Sequence, residues 1–194
     1  MSTPDAALPR RVRVVGNSGS GKTTFAIALA SRLGLAHLEL DEVFWDADWT
    51  LRDPAEARLL LAGFLGSAGR DGWVIDGNWN RKLDGMLDGA DRVVWLDYPR
   101  RVIMPRVLRR TISRGITGRP MWHGNTERLS NLVRRDPEQN IVLWSWTQHT
   151  AYRERYRQLA ASGAPVLQLD GPRAARRWLE SLPSVDPGPS PGGP

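Results

Sequence analysis

The segment from Gly16 to Thr23, GNSGSGKT, has the residue types and spacing of a loop that binds phosphate groups. Its glycines allow backbone torsions that other residues avoid, so successive N–H groups can point into one concavity. Lys22 supplies a mobile positive charge for the β- and γ-phosphates of a nucleotide, and the Thr23 hydroxyl is a suitable Mg²⁺ ligand. The segment therefore predicts binding of a nucleoside triphosphate with Mg²⁺. The predicted phosphate-binding residues are Gly16, Asn17, Ser18, Gly19, Ser20, Gly21, Lys22, Thr23 and Thr24.

The residues on either side of this loop favour the same function. The strand-like run RVRVVG precedes the loop, and a helical pattern follows it over residues 21–33. A helix that starts at this point adds a partial positive charge, which attracts a bound anion. Lys22 is one of two lysines among 27 basic residues, so its position in the pattern is improbable by chance.

Acidic residues follow three other apolar runs of the chain. Asp41 and Glu42 come at the end of the second strand-like run, in LELDEVFW, and Asp76 ends the third, in WVIDGNW. Asp97 ends the fourth run and is favoured as a helix cap or turn residue. Open α/β sheets bind ligands at the carboxyl ends of their strands, so we expect Asp41 and Asp76 beside the phosphate loop.

Strand-like and helical patterns alternate along the chain. Runs of apolar residues predict strands at 11–16, 36–40, 73–76, 92–97 and 164–169. Helical patterns lie at 21–33, 54–67, 81–87, 99–114, 126–134, 137–160 and 172–181. Strands that are apolar almost throughout and are separated by helices favour a parallel sheet covered on both faces. We therefore expect a three-layer α/β/α domain with five parallel strands.

The length of 194 residues suits one domain. Residues 1–10 are expected to form a flexible arm, and residues 183–194, PSVDPGPSPGGP, a disordered tail, because their composition cannot bury apolar surface. The domain itself is expected over residues 11–182. Gly115, Gly118 and Gly124 bracket an arginine-bearing segment, which predicts a short mobile lid at about 115–127.

The composition excludes several classes of function. The chain has no cysteine, so disulfide frameworks, thiolate zinc sites and thiol catalysis are excluded. No apolar run is long enough to span a membrane, and the first residues lack the apolar core of a signal peptide, so a cytoplasmic location is expected. The net charge of +6 favours phosphorylated partners, with nucleic acid as a weak one.

Together these segments resemble the nucleoside monophosphate kinase group, above all the adenylate-kinase-like proteins known as DNA topology modulation proteins. The resemblance extends over residues 11–181. It rests on GNSGSGKTT, on the LD-x-x-x-W that ends at Trp45, on IDGNW, on LDYPR and on the arginines of residues 106–119. It implies a P-loop NTPase fold and the transfer of the ATP γ-phosphoryl group to a small acceptor.

The resemblance also implies individual roles. Asp76 would hold Mg²⁺ through water, and Asp41 would orient or deprotonate an acceptor hydroxyl. Arginines on one face of a helix and in the lid would clamp the transferred group. The implied catalytic residues are Lys22, Asp41, Arg110, Arg114 and Arg119. The implied substrate-binding residues are Asp41, Trp45, Asp76, Asn78, Trp79, Arg106 and Arg128, and the implied metal ligands are Thr23 and Asp76.

The identity of the acceptor stays open at this point. Adenylate kinases carry Gly-Phe-Pro-Arg where this chain has Gly77-Asn78-Trp79-Asn80. A nucleotide or nucleoside is the first choice, because Trp45 and Trp79 could stack on a base, and a sugar or a shikimate-like hydroxylated acid is the second. ATP is preferred to GTP, since no guanine-reading Asn/Thr-Lys-x-Asp tetrapeptide occurs.

The alternative function is that of a nucleic-acid-associated P-loop NTPase or regulatory protein without small-molecule kinase activity. The basic composition and the arginines of residues 100–119 favour this alternative. The chain carries no recognisable groove-reading module, which counts against it. A monomer or a homodimer is expected.

Overall fold

The structure is a computed structural model that describes residues 8–184. Five parallel strands form one sheet in the order β2-β3-β1-β4-β5. The strands are β1 (Arg11–Gly16), β2 (Ala36–Glu39), β3 (Trp73–Asp76), β4 (Arg92–Leu96) and β5 (Val166–Leu169). The α-helices are α1 (Lys22–Leu33), α2 (Leu40–Phe44), α3 (Pro54–Gly66), α4 (Arg100–Thr117), α5 (Ile141–Ala161) and α6 (Pro172–Ser181). Short 3₁₀ helices lie at Ala47–Trp49, Trp122–Gly124, Leu129–Val133 and Pro137–Gln139.

Helices pack against both faces of the sheet because successive strand residues point to opposite sides. Val12 and Val14 of β1 lie in one apolar cluster with residues of α1, α4 and α6. Val15 lies in a different cluster with Tyr156 of α5. The predicted α/β class and five parallel strands are confirmed, and the arrangement is compatible with the predicted three layers.

Two predicted helices are wrong. Residues 81–87 form turns, because Asp84 and Gly85 take left-handed φ angles of 49° and 77°, which end any helical path. Within 126–134 only the 3₁₀ helix Leu129–Val133 forms. The helix predicted over 137–160 begins instead at Ile141, where the Asn140 side chain caps it by accepting from the backbone N–H groups of the second and third helical residues.

The predicted second strand ends one residue early. Leu40 is the first residue of α2, a short helix that the sequence patterns did not predict. Residues 1–7 and 185–194, which make up most of the predicted arm and tail, lie outside the described residues. None of the helices within residues 8–184 combines the length and apolarity needed to cross a membrane.

Asp97 connects the sheet to α5. Its carboxylate is 2% exposed and lies 2.7 Å from Arg153 Nε, while Gln168 Nε2 donates to it at 2.7 Å. Pro99, not Asp97, is the N-cap of α4. Asp97 therefore stabilises the packing of α5 rather than acting as the cap that the sequence favoured.

Loss of this ion pair should destabilise the domain. We expect Arg153→Gln to lower the free energy of unfolding by about 1–3 kcal/mol, because it weakens the pairing of a buried carboxylate whose partner is partly exposed. Urea unfolding at neutral pH measures the change. Arg157→Gln, at an exposed position of the same helix, is the matched control and should change stability by less than about 0.5 kcal/mol. Equal stability of the two variants would contradict this role of Asp97.

Candidate functional site

The GNSGSGKT loop connects β1 to α1 and rests on α4. Gly21 is the N-cap of α1 with a φ of 86°, and Gly19 has a φ of 81°. A Cβ atom on Gly19 would overlap the side chain of Val107 and lie 3.0 Å from the Ile103 carbonyl oxygen. Glycine is thus required at residue 19 both by its torsion angle and by the close approach of the loop to α4.

The interior of the loop presents donors. The Asn17 carbonyl oxygen accepts from the Ser20 N–H at 3.2 Å and from Lys22 Nζ at 3.3 Å, so the ammonium group lies against the loop. The first N–H groups of a helix have no acceptor within the helix. Within residues 8–184 no acceptor pairs with the N–H groups of Gly19 or Gly21 either. Such a loop can surround an anion with N–H groups and one ammonium group.

Asn78 holds the start of the loop in place. Its Nδ2 donates to the Gly16 carbonyl oxygen at 2.7 Å, and its Oδ1 accepts from the Gly16 N–H at 3.3 Å. The same Oδ1 accepts from the Tyr156 hydroxyl at 3.1 Å. The sequence placed Asn78 in the acceptor site, whereas its contacts in the structure position the loop.

Two carboxylates meet at the Thr23 hydroxyl. Glu39 and Asp76 end neighbouring strands and are register partners. Thr23 Oγ1 lies 2.9 Å from Glu39 Oε1 and 3.1 Å from Asp76 Oδ1. A hydroxyl has a single proton, so Thr23 donates to only one of the two carboxylates at a time. The nearby oxygen of the other carboxylate then receives no proton from Thr23. Three hard oxygen atoms therefore converge at the carboxyl edge of the sheet.

Glu39 is the site residue that the sequence patterns missed. They placed Glu42 at the edge, but the Glu42 side chain is exposed, and its backbone oxygen lies 2.9 Å from His123 Nε2. The cause is the early end of β2, which makes Glu39 the last strand residue. The alternation in AHLEL was the available signal, since it gives Glu39 and His37 the same face.

Asp76 is almost fully buried, with 1% of its surface exposed. Its second oxygen, Oδ2, lies 2.9 Å from His37 Nε2. The predicted metal ligands Thr23 and Asp76 are thus adjacent. No group of three or more His, Cys, Asp or Glu side chains within residues 8–184 is arranged to hold a metal ion by itself.

Lys22 and Asp41 form the charged centre of the site. Burial lowers the pKa of Lys22, and the nearby carboxylates of Asp41 and Asp76 counteract this by stabilising the ammonium form. Burial likewise raises the pKa of Asp41, opposed by Lys22 and by the Trp79 indole, whose Nε1 donates to Asp41 Oδ1 at 2.6 Å. Each charge therefore favours the other one in a poorly solvated site.

Aromatic rings form a continuous row beside these carboxylates. Trp79 stacks on Phe44 at 4.5 Å between ring centroids and meets Trp45 edge to face at 5.7 Å. Trp45 contacts Trp49 at 5.8 Å, and Trp49 contacts Trp122 at 6.3 Å. We call these five residues the aromatic row. Two of its members hydrogen-bond the carboxylates of the site, since Trp79 donates to Asp41 and Trp122 Nε1 donates to Glu39 Oε2 at 2.9 Å.

The structure shows one of the five predicted arginines, Arg110, in contact with the loop within residues 8–184. Arg110 Nη2 donates to Ser18 Oγ at 3.1 Å, and burial lowers the Arg110 pKa. Arg114 pairs with Glu127 at 3.1 Å, and Arg106 lies over the Tyr98 ring at 5.8 Å.

The two remaining predicted arginines lie apart from the loop. Arg119 and Arg128 are exposed, and neither side chain makes a hydrogen bond or ion pair within the described part of the chain. Trp122, which lies between them in sequence, reaches Glu39 instead. In this structure an indole of the predicted lid therefore contacts a carboxylate of the site.

No protein-family model matches the chain. A relative from Bacillus subtilis (strain 168), described as "Uncharacterized protein YqaC", is 29% identical over 108 residues, which make up 55% of this chain and 60% of that protein. The chain thus spans about 60% of the length of this relative.

The partly buried carboxylate of Glu39 should make stability depend on pH. Burial raises its pKa above the usual value of about 4.3, more than its hydrogen bonds from Trp122 and Thr23 lower it. Its contribution to stability is therefore full below pH 4 and is lost as the pH rises through the raised pKa. We expect Glu39→Gln to raise the melting temperature at pH 8 more than at pH 4. Glu42→Gln, at an exposed neighbour, is the control and should change the melting temperature equally at the two pH values. If Glu39→Gln also changes it equally at pH 4 and pH 8, the pKa of Glu39 is not raised in the folded protein.

Proposed function

We propose that this protein is a Mg²⁺-dependent, ATP-binding phosphotransferase with a P-loop NTPase fold, which transfers the γ-phosphoryl group to a small acceptor. The observation that carries the proposal is the position of the GNSGSGKT loop, between a buried strand and a helix N-terminus, with Lys22 against it. The γ-phosphoryl transfer is the conclusion that the resemblance to the nucleoside monophosphate kinase group adds.

Unpaired donors around the loop suit the triphosphate. Ser20 Oγ and Arg110 Nε are buried and have no hydrogen-bond partner among residues 8–184. Buried donors without partners are energetically costly, so a ligand that accepts from them gains that free energy on binding. Together with Lys22 and the first N–H groups of α1, they would neutralise the charge that is spread over the transferred group.

The donor set at Thr23 fits Mg²⁺. This ion prefers hard oxygen ligands, keeps several waters, and is usually held by one or two carboxylates together with substrate phosphates. Thr23 and Asp76 would hold it, with Glu39 as a third oxygen donor at 2.9 Å from the Thr23 hydroxyl. Bound there, the ion supplies positive charge next to the phosphates.

Asp41 is the residue that we assign to the acceptor. Burial raises the pKa of Asp41 above its usual value, toward neutral pH. A raised pKa suits a general base that takes up a proton during the reaction. In that reaction the acceptor oxygen bonds to the γ-phosphorus, the bond from that phosphorus to the β–γ bridging oxygen breaks, and the acceptor proton passes to Asp41. Trp45 and Trp79, both partly buried beside Asp41, offer a flat apolar wall that suits a nucleotide or nucleoside.

Substitution of Lys22 tests the binding of ATP. We expect Lys22→Ala to weaken binding of a non-hydrolysable ATP analogue by about 10- to 100-fold, because it removes a charge-assisted contact. Isothermal titration calorimetry in Mg²⁺ buffer measures this. Lys82→Ala is the matched control, because it removes the other lysine of the chain, which lies outside the loop. Lys82 Nζ is 5.3 Å from the Trp79 ring centroid, and the variant should bind the analogue as the wild type does. Unchanged affinity of Lys22→Ala would show that the loop does not bind the triphosphate.

Asp41 tests the transfer step. A panel of nucleosides, nucleotides, sugars and hydroxylated acids is screened for acceptor-dependent ADP release. With the best acceptor we expect Asp41→Asn to lower kcat by about 100-fold or more while ATP affinity is retained. Loss of ATP binding together with kcat would instead assign Asp41 to the support of Lys22. If no acceptor stimulates ADP release, the alternative of a nucleic-acid-associated NTPase or regulatory protein gains support.

The remaining expectations accompany this proposal. ATP as the donor suits a cytoplasmic location. Nucleic-acid binding stays a prediction from the basic composition, and it should be weak and strongly salt-dependent. The oligomeric state, a monomer or a homodimer, also stays a prediction.

A further inference from the structure

A cleft of about 380 Å³ lies on the α5 side of the sheet, away from the phosphate loop. The turn segment 80–88 forms one wall, and the C-terminal half of α5 forms the other. Residues 81–87, which form turns and not the predicted helix, supply Leu83, Gly85 and Leu87 to the first of these walls. Its volume lies in the range of small-ligand sites.

Arg13 forms the floor of this cleft. It lies in the middle of β1 and is only 8% exposed, although it is a charged residue. One of its nitrogen atoms donates to Asn80 Oδ1. Within residues 8–184 no carboxylate lies within 4.0 Å of its guanidinium group, and burial lowers its pKa. A buried guanidinium without an ion-pair partner is costly, so an anion bound in the cleft would be stabilised there.

A second guanidinium strengthens the positive charge of the cleft. Arg155 of α5 also lines the cleft, is partly buried, and makes no hydrogen bond or ion pair in the described part of the chain. Among the described residues, Asp88 is the one acidic side chain that lines the cleft, and the C-terminal end of α5 adds only about half a negative charge. Two guanidinium groups outweigh these two contributions. Leu83, Leu87 and Leu159 give the cleft an apolar part as well.

A chain of hydrogen bonds connects this cleft to the phosphate loop. Arg13 donates to Asn80, and Asn80 Nδ2 donates to the Tyr156 hydroxyl at 3.3 Å. The Tyr156 hydroxyl donates to Asn78 Oδ1 at 3.1 Å, and Asn78 brackets Gly16 as described above. Tyr156, at the middle of the chain of hydrogen bonds, is fully buried, which limits competition from water for the contacts of its hydroxyl. A ligand that reorients Asn80 can therefore change the position of Gly16.

We propose that this cleft is a second binding site, for a small organic anion, and that its occupancy is transmitted to the phosphate loop through Asn80, Tyr156 and Asn78. The anionic group, a carboxylate or a phosphate monoester, would pair with Arg13 and Arg155. The apolar part of the ligand would pack on the leucines of the cleft. The site is separate from the phosphate loop and does not depend on the proposed phosphotransferase reaction.

Binding is tested with three probes that share an aromatic ring. Phenyl phosphate and benzoate carry the two candidate anionic groups, and benzyl alcohol is the neutral control. Their affinities for the full chain are measured by ¹H–¹⁵N NMR titration of the wild type and of Lys22→Ala. We expect at least one anion to bind at least tenfold more tightly than benzyl alcohol, and to do so equally well in Lys22→Ala. Equal affinity for all three probes, or loss of binding in Lys22→Ala, would overturn the proposal.

Two variants separate the cleft from general charge effects. Arg155→Gln should weaken binding of the better anion about tenfold, while Arg157→Gln, an exposed arginine of the same helix that does not line the cleft, should leave it unchanged. Equal effects of the two variants would assign the binding to surface charge and contradict a site in the cleft.

The link to the loop has its own measurement. In the wild type we expect the bound anion to shift the Gly16 amide resonance. Tyr156→Phe keeps the ring but removes the hydroxyl, so it should retain anion binding and abolish the Gly16 shift. A Gly16 shift of unchanged size in Tyr156→Phe would show that the hydrogen-bond chain does not transmit occupancy.

Discussion

Opposite charges that lie partly buried and close together at the carboxyl edge of the sheet are the constraint on which the site depends. Lys22 is held beside Asp41 and Asp76, and burial opposes the charged form of both Lys22 and Asp41. Either charge alone would lose part of its solvation without an opposite charge to compensate for it. The lysine and the carboxylates must therefore be positioned together, which requires that β1, β2 and β3 end at the same level of the sheet. Parallel pairing in register provides that level, because it places Glu39 opposite Asp76.

The loop is held from two sides by contacts that leave its interior free. On one side Gly19 fits against α4 only because it has no side chain. On the other side Asn78 bonds both backbone groups of Gly16, and Asn17 Nδ2 donates to the Ser145 carbonyl oxygen of α5 at 2.7 Å. The polar backbone at the ends of the loop is satisfied by protein, so the N–H groups at its centre remain for a ligand.

The predicted lid is attached to the region around α2 by hydrogen bonds. Residues 115–117 are still part of α4, and the segment then crosses to the aromatic row, where Trp122 donates to Glu39. Asn125 is buried and bonds Asp46 and Trp49, while Glu127 returns to pair with Arg114. Trp122 donates to one oxygen of the Glu39 carboxylate, and the other oxygen accepts from the Thr23 hydroxyl. The predicted lid and the proposed metal position therefore share the side chain of Glu39.

The sequence by itself determined the fold class, the loop and the charged partners Asp41 and Asp76, because apolar periodicity and the GNSGSGKT spacing are local properties of the chain. It did not reveal Glu39, since the end of β2 depends on where α2 begins, nor the turns at 81–87, where Asp84 and Gly85 take left-handed torsions. Only the tertiary structure decided which side chains meet across the sheet. Trp122 reaches Glu39 over 83 positions and Tyr156 reaches Asn78 over 78, and no local pattern encodes such contacts. These contacts form only when the sheet and the helices have packed together. The free energy of each polar contact depends on the surroundings that this packing creates.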